Sequence, residues 1–327
     1  MNSIENLREL LIKEKPIVVI SGPTAVGKSE LSIKLAKLIG GEIISADSMQ
    51  VYKGMDIGSA KIMPEEMQGI SHHLIDILEP DEEFNVYIFQ SKAKEALSQI
   101  YERGHIPIVT GGTGFYIQSL LYDISFEEEE DNHIREELEY EMDQLGEDVM
   151  YQRLLEIDPN SAKIIHKHNH KRVIRALEFF ELNGYPISEH NESERAKKSP
   201  YKFVLFVLTD DRNIIYQKID ARVELMMEHG LVDEVRNLKE KGYHMNLVSM
   251  QGLGYKEILQ ALNGDISLDE AIYMVKRDTR HFAKRQLTWF RRERDVIWVN
   301  RQEFHSDSEI LNYMIEKIKE LNITCLT

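Results

Sequence analysis

Apolar positions along the chain switch between two periods. Residues 15–21 (KPIVVIS) form a short apolar run that ends at a glycine, the pattern of a buried strand. From Ser29 onward, apolar residues recur at Leu31, Leu35 and Leu38, a helical spacing that Gly40 and Gly41 stop. Residues 42–46 return to the strand pattern. Asn85 predicts the N-cap of a helix running to Arg103, with Gly104 after it. A third strand at 106–110 runs into the glycine turn 111–114. Strands alternating with helices predict an α/β fold, a parallel, doubly wound sheet flanked by helices.

The strand pattern is missing from residue 123 to residue 200. That stretch is charged, helical in spacing and broken at Gly146, Gly184 and Pro186. Residues 202–208 (KFVLFVL) resume the strand pattern. The expectation is a discontinuous core, residues 1–122 and 201–327, interrupted by an all-helical domain at 123–200. Helices are predicted at 213–229, 231–241 and 268–292, the last opened by a capping box of Ser267 and Glu270. A strand at 296–299 and a helix at 309–321 close the pattern.

Composition narrows the class. The N-terminus, residues 1–16, alternates apolar and charged residues without the apolar stretch of a signal peptide, and no segment is apolar enough to span a bilayer. Cys325, the single cysteine, has no internal partner for a disulfide, as in a reducing compartment. A cytoplasmic protein with no membrane partner is expected. Nothing in the sequence sets oligomeric state, and a monomer is the default. The net charge of −16 argues at first against nucleic acid, but its distribution does not. Residues 127–147 hold eleven acids against one base, Arg135, whereas residues 276–294 hold eight bases against two acids. Residues 163–175 add five Lys or Arg and no acid. Local patches decide polymer contact, although charged stretches also serve simply as solvated helix faces.

The chemistry begins at Gly22-Pro23-Thr24-Ala25-Val26-Gly27-Lys28-Ser29, which fits the phosphate-binding pattern G-x-x-x-x-G-K-S/T between a predicted strand and a predicted helix. Such a turn aims backbone N–H groups and a helix N-terminus at one point. Lys28 adds a full charge for phosphate oxygens, and the Ser29 hydroxyl suits Mg²⁺. The motif does not say which phosphate compound binds. Asp47 follows the second strand, where a doubly wound sheet opens its ligand crevice; capping the local turn is the alternative. Gly111–Gly114 leaves the third strand at the same edge, either to admit substrate or only to turn. Arg222 is, on local pattern, one surface base among several. Trp289 and Phe290 are expected in the core, and His166, His168 and His170 on the surface, with no Cys or carboxylate to complete a metal set.

Taken together, GPTAVGKS at 22–29, ISADSMQVYKGMDIGSAK at 44–61, GGTGFY at 111–116 and KRQLTWFR at 284–291 resemble bacterial tRNA dimethylallyltransferases, also called tRNA isopentenyltransferases. The resemblance covers about residues 17–299, and the zinc-finger tail of eukaryotic relatives is not expected here. It implies a P-loop NTPase-like sheet used for a prenyl diphosphate. The implied reaction moves a dimethylallyl group from its diphosphate to N6 of the adenosine 3′ of the anticodon, position 37 of the tRNA. By resemblance Asp47 is the general base, and Thr24 and Arg222 are diphosphate-binding catalytic groups. Residues implied to meet the tRNA anticodon stem-loop are Asp47, Ser48, Met49 and Gln50, then Thr113 and Arg135. Lys171, Arg172, Val173, Ile174 and Arg175 match another such segment, as do Gln251, Gly252, Leu253, Gly254, Tyr255 and Lys256. The last is Lys284, Arg285, Gln286, Thr288, Trp289 and Arg291. Some relatives have Arg where Gln251 stands. Two other readings share these residues: a P-loop kinase of a small metabolite, with Asp47 activating a hydroxyl, and a non-catalytic RNA-binding protein that uses the loop as a switch.

Overall fold

The computed structural model describes residues 2–126 and 133–323. Residues 127–132 of the acidic stretch 127–147 and Cys325 lie outside them. Two units form, Met1–Leu121 with Pro200–Thr327, and Tyr122–Ser199.

In the first unit, α1 (Asn2–Glu14) precedes β1 (Ile17–Ser21), α2 (Lys28–Ile39) and β2 (Gly41–Ser45). Then come β3 (His72–His73), α3 (Val86–Glu102), β4 (Ile106–Gly111) and α4 (Gly114–Leu121). The sequence pattern at 1–16 had suggested no element. The structure forms α1 there because Leu7 and Leu11, one turn apart, bury against the sheet-side core. From the same helix, Arg8 donates to the carbonyls of Leu38 (2.9 Å) and Lys37 (2.8 Å), which satisfies the open C-terminal end of α2. Gly40 takes the left-handed conformation that ends α2, while Gly41 already belongs to β2. Asn85 caps α3 as its position predicts, accepting from the Ile88 N–H at 2.9 Å.

The second unit contains α5 (Ile134–Leu145), α6 (Glu147–Ile157), α7 (Pro159–Ala162), α8 (His170–Asn183) and α9 (Ile187–Ala196), with no strand among its described residues. It has its own core, in which Leu138, Met150, Leu154, Val173 and Leu177 meet. The chain then returns to the first unit with β5 (Phe203–Thr209), α10 (Arg212–Glu228) and α11 (Leu231–Glu240). It closes with α12 (Tyr255–Asn263), α13 (Leu268–Phe290), β6 (Val296–Asn300) and α14 (Asp307–Ile323). Helices α4 and α12 were not predicted; α4 opens at Gly114, the last residue of the predicted glycine turn. Ser267 accepts from the Glu270 N–H at 3.2 Å and so caps α13.

The six strands lie in the order β3-β2-β4-β1-β5-β6, and every neighbouring pair is parallel. Central strand β1 is buried along its whole length, as a parallel strand covered on both faces must be. On one face Val18, Ile20, Phe206, Leu31 and Leu35 interlock in the main core, each such side chain contributing roughly 1.5–3 kcal/mol by leaving water. The chain crosses from β1 out to β2 and β3, returns through β4, and then passes to the other side of β1. The carboxyl ends of β1, β2 and β4 therefore face one crevice, where a ligand site is expected in open α/β sheets. Among the described residues no helix is long and apolar enough to cross a membrane.

Candidate active site

The phosphate loop is the turn between β1 and α2. Gly22 holds φ at +138°, and a Cβ there would come within 2.4 Å of the Leu208 carbonyl oxygen on β5, so position 22 needs glycine. The Lys28 ammonium folds back over the loop and donates to the carbonyls of Gly22 (3.0 Å) and Pro23 (2.9 Å). Burial is the main reason its pKa falls from the ordinary value to about 8; the neighbouring Arg222 charge adds to this, and Asp47 opposes it.

Arg222 projects from α10 and donates to the Thr24 hydroxyl at 3.4 Å. Its sequence reading as a surface base is corrected: the side chain faces the loop, and burial lowers its pKa while Asp47 opposes the shift. Asp47 sits at the end of β2, where one carboxylate oxygen accepts from the N–H groups of Met49 (2.9 Å) and Gln50 (3.3 Å). The turn-capping reading and the crevice reading are thus both true of Asp47, since a carboxylate can accept on one oxygen and keep the other free for a ligand. Lys28, Ser29, Asp47 and Arg222 line a cavity of about 620 Å³, and Ser59–Ile62 form a further wall of it. The turn at Thr113 closes on the same place, with its N–H donating at 3.3 Å to the carbonyl of Ala46, the residue before Asp47.

That further wall is clasped from behind. The Glu234 carboxylate on α11 accepts from three consecutive N–H groups, Asp56 (2.9 Å), Ile57 (2.7 Å) and Gly58 (3.0 Å). Tyr255, on α12, donates to Glu234 at 2.7 Å, and its hydroxyl accepts from the Ser59 N–H at 3.2 Å. Lys61 is buried on the Tyr52 carbonyl (2.6 Å) and the carboxylates of Asp56 and Asp76. Sequence reading missed Glu234, because it lies on a helix remote in sequence from the loop it holds.

The residues expected to meet RNA divide by burial. Lys284, Arg285 and Thr288 on α13, and Arg291 just past its end, are exposed. Gln286 is not: it is 5% exposed and its side chain bonds the chain's own backbone. Trp289 packs against Gly114, where a Cβ would fall 2.2 Å from the indole, and its ring meets Phe115 edge-on. In the segment 251–256, Gln251 is exposed, while Gly254 and Tyr255 are buried under the clasp. Gly252 abuts Met49, and Leu253 and Lys256 are partly exposed; Ser48, Met49 and Gln50 are likewise partly exposed. In the helical unit Lys171 and Arg172 are exposed, whereas Val173 and Ile174 pack in that unit's core. Arg135 (3.4 Å) and Arg175 (2.9 Å) share one carboxylate, the buried Glu178.

His168 (2.6 Å) and His170 (3.1 Å) do have a nearby carboxylate, Glu147, which the sequence separation hides; Lys167 joins the same cluster. Among the described residues no group of three or more His, Cys, Asp or Glu is placed to hold a metal ion.

A parallel sheet with a phosphate loop, a facing arginine and a carboxylate in one cavity is the arrangement of a phosphate-compound-binding protein. The family model for IPP transferase matches residues 50–293. The chain is 56% identical to the tRNA dimethylallyltransferase of Lachnoclostridium phytofermentans, over 94% of this chain and 99% of that one. The tRNA dimethylallyltransferase of Acetivibrio thermocellus is 50% identical over 90% of this chain and 95% of its own length. Among solved structures, the tRNA isopentenylpyrophosphate transferase of Bacillus halodurans superposes with a TM-score of 0.73 at 42% identity, covering 96% of this chain and all of that one. A eukaryotic dimethylallyltransferase acting on tRNA gives 0.74 at 31% identity, over 88% of this chain and 74% of that one. The chain belongs to the tRNA dimethylallyltransferase family, and with that the kinase and switch readings fall away.

Proposed function

We propose that this protein transfers a dimethylallyl group from dimethylallyl diphosphate to N6 of the tRNA adenosine next to the anticodon on its 3′ side, in the cytoplasm. The observation that carries the reading is Lys28, Arg222 and Asp47 around one cavity: two cations for a leaving diphosphate, and a carboxylate for a proton. The carbon–oxygen bond between the allylic C1 and the diphosphate breaks, the bond from N6 to C1 forms, and the N6 proton passes to Asp47. N6 is a weak nucleophile because its lone pair is delocalised into the ring, so removing the proton as the bond forms assists attack. Charge growing on the diphosphate is met by Lys28, Arg222 and the loop N–H groups.

The oxygen donors present suit Mg²⁺, which takes few protein ligands and completes its shell with phosphate oxygens and water. Ser29 would hold it, and the ion supplies further neutralisation of the leaving diphosphate. A stacked adenine must be turned out of the anticodon loop to reach the cavity. The exposed bases of α13, with Lys171, Arg172 and Arg135 on the helical unit, supply phosphate contacts. The test incubates the protein with labelled dimethylallyl diphosphate, labelled ATP and bulk tRNA, and then analyses tRNA nucleosides by mass. N6-dimethylallyladenosine is expected, and ATP turnover without prenyl transfer overturns the proposal.

A further inference from the structure

We propose that Gln286 is a positioning residue for the transfer reaction, one that registers the phosphate loop against the turn carrying Thr113. The inference rests on the function proposed above. Gln286 lies on α13 between the exposed Lys284, Arg285 and Thr288, yet its own side chain is 5% exposed and directed inward. Its amide oxygen accepts from the Thr24 N–H at 2.9 Å, and its amide nitrogen donates to the Gly112 carbonyl at 3.0 Å. The two partners dictate which end is which, because a backbone N–H needs an acceptor and a carbonyl needs a donor. One side chain therefore joins the turn after β1, the turn after β4 and a basic helix that arrives more than 170 residues later in the chain.

The fit is close. A Cβ on Gly112 would lie 2.0 Å from the Gln286 amide nitrogen, so that turn is cut to receive this amide. A buried carboxamide with both ends engaged has nothing left to offer RNA unless those bonds break, and breaking them leaves two backbone groups unpaired. The Thr24 end matters most for chemistry. Gln286 holds the Thr24 backbone while Arg222 reaches the Thr24 hydroxyl at 3.4 Å, so this bond sets where the hydroxyl and guanidinium stand relative to the leaving diphosphate. At the other end, Gly112 precedes Thr113, whose N–H is tied to the carbonyl before Asp47. Gln286 thus aligns the groups that receive the diphosphate with the strand end that carries the base. No Lys, Arg or Glu at this position offers one donor and one acceptor in the same geometry.

The experiment compares the parent with Gln286→Leu and Gln286→Glu, measuring kcat, the KM for dimethylallyl diphosphate and the Kd for tRNA, with a thermal melt of each. Displacing reacting groups by about 1 Å commonly costs about 10²-fold in rate. Gln286→Leu is expected to lose kcat on that order while tRNA affinity stays within about twofold. Gln286→Glu keeps an acceptor for Thr24 but sets a second acceptor against the Gly112 carbonyl where a donor is needed, so it should lose kcat as the leucine variant does. A weakened tRNA Kd with unchanged kcat would make Gln286 an RNA contact and overturn the proposal. Hydrogen exchange at the Thr24 amide of the ligand-free parent decides the matter even if a variant does not fold: slow exchange supports the bond, and exchange at the rate of an open loop refutes it. A parent that fails to prenylate tRNA sinks the proposed function instead, and leaves the exchange result to judge the bracket.

Discussion

Lys28 carries a positive charge that its own surroundings oppose, and this gives the site a pH signature. Its pKa in the fold is about 8, below its ordinary value of 10.5. Between those values the unfolded chain holds more protons at this position than the folded one. The contribution of Lys28 to stability therefore rises with pH across that window, in the absence of ligand. Ligand binding has the opposite sign, because a bound diphosphate favours the ammonium and draws a proton back. Affinity for dimethylallyl diphosphate should be flat below about pH 8 and fall as pH climbs toward 9.5, a trend that Lys28→Met removes. Titration calorimetry across pH 7–9.5 reads this, and an unchanged Kd throughout would contradict it. Asp47 lies at the same scale. If it takes the N6 proton, Asp47→Ala should lower turnover on the order of 10²–10⁴-fold while tRNA Kd hardly changes. A variant with parental kcat would remove Asp47 from the reaction.

Among the elements, the segment between β2 and β3 has little regular structure of its own, and its order comes from outside. Glu234 supplies one carboxylate to three N–H groups and a tyrosine hydroxyl, and Lys61 ties the segment to itself. Glu234→Ala removes the acceptor for all four donors at once. Leaving partly buried donors unpaired costs up to about 1–3 kcal/mol, so the urea midpoint should drop with the m-value unchanged. Glu234→Gln, which keeps an acceptor, should lose less; equal midpoints for parent and alanine variant would show that the clasp carries no load. A segment such as 251–256 can face RNA through Gln251 and Lys256 while Tyr255 inside it holds the cavity wall.

For the whole molecule the question is how a chain of net charge −16 engages a polyanion. Exposed bases gather at the end of α13, Lys284 and Arg285 on the helix and Arg291 and Arg292 just past it, whereas Arg277 and Arg280 are engaged by Asp278 and Asp220. Affinity for tRNA should fall steeply with salt as phosphate contacts release counterions, and replacing Lys284 and Arg291 together by alanine should reduce the slope of log K against log salt by up to about 2. Binding measured between 50 mM and 200 mM salt tests this, and a slope unaltered by the double substitution would place the RNA elsewhere.

The sequence by itself determined the alternation of strands and helices, the phosphate loop with its lysine, the long helical interruption and the family. Each of these is written in local order: the 2.0 and 3.6 periods, a glycine spacing, a contiguous block such as residues 44–61. Only the tertiary structure decided that Arg222 faces Thr24, that Gln286 bonds inward from a basic helix, and that Glu234 holds a loop 176–178 residues away. One signal for Gln286 was present: it stands with Ala283 and Phe290 on the buried stripe of α13, where an uncharged polar side chain needs internal partners. Which partners they are depends on the order in which parallel strands assemble. That order places the ends of β1, β2 and β4 together from distant parts of the chain, and no local pattern encodes it.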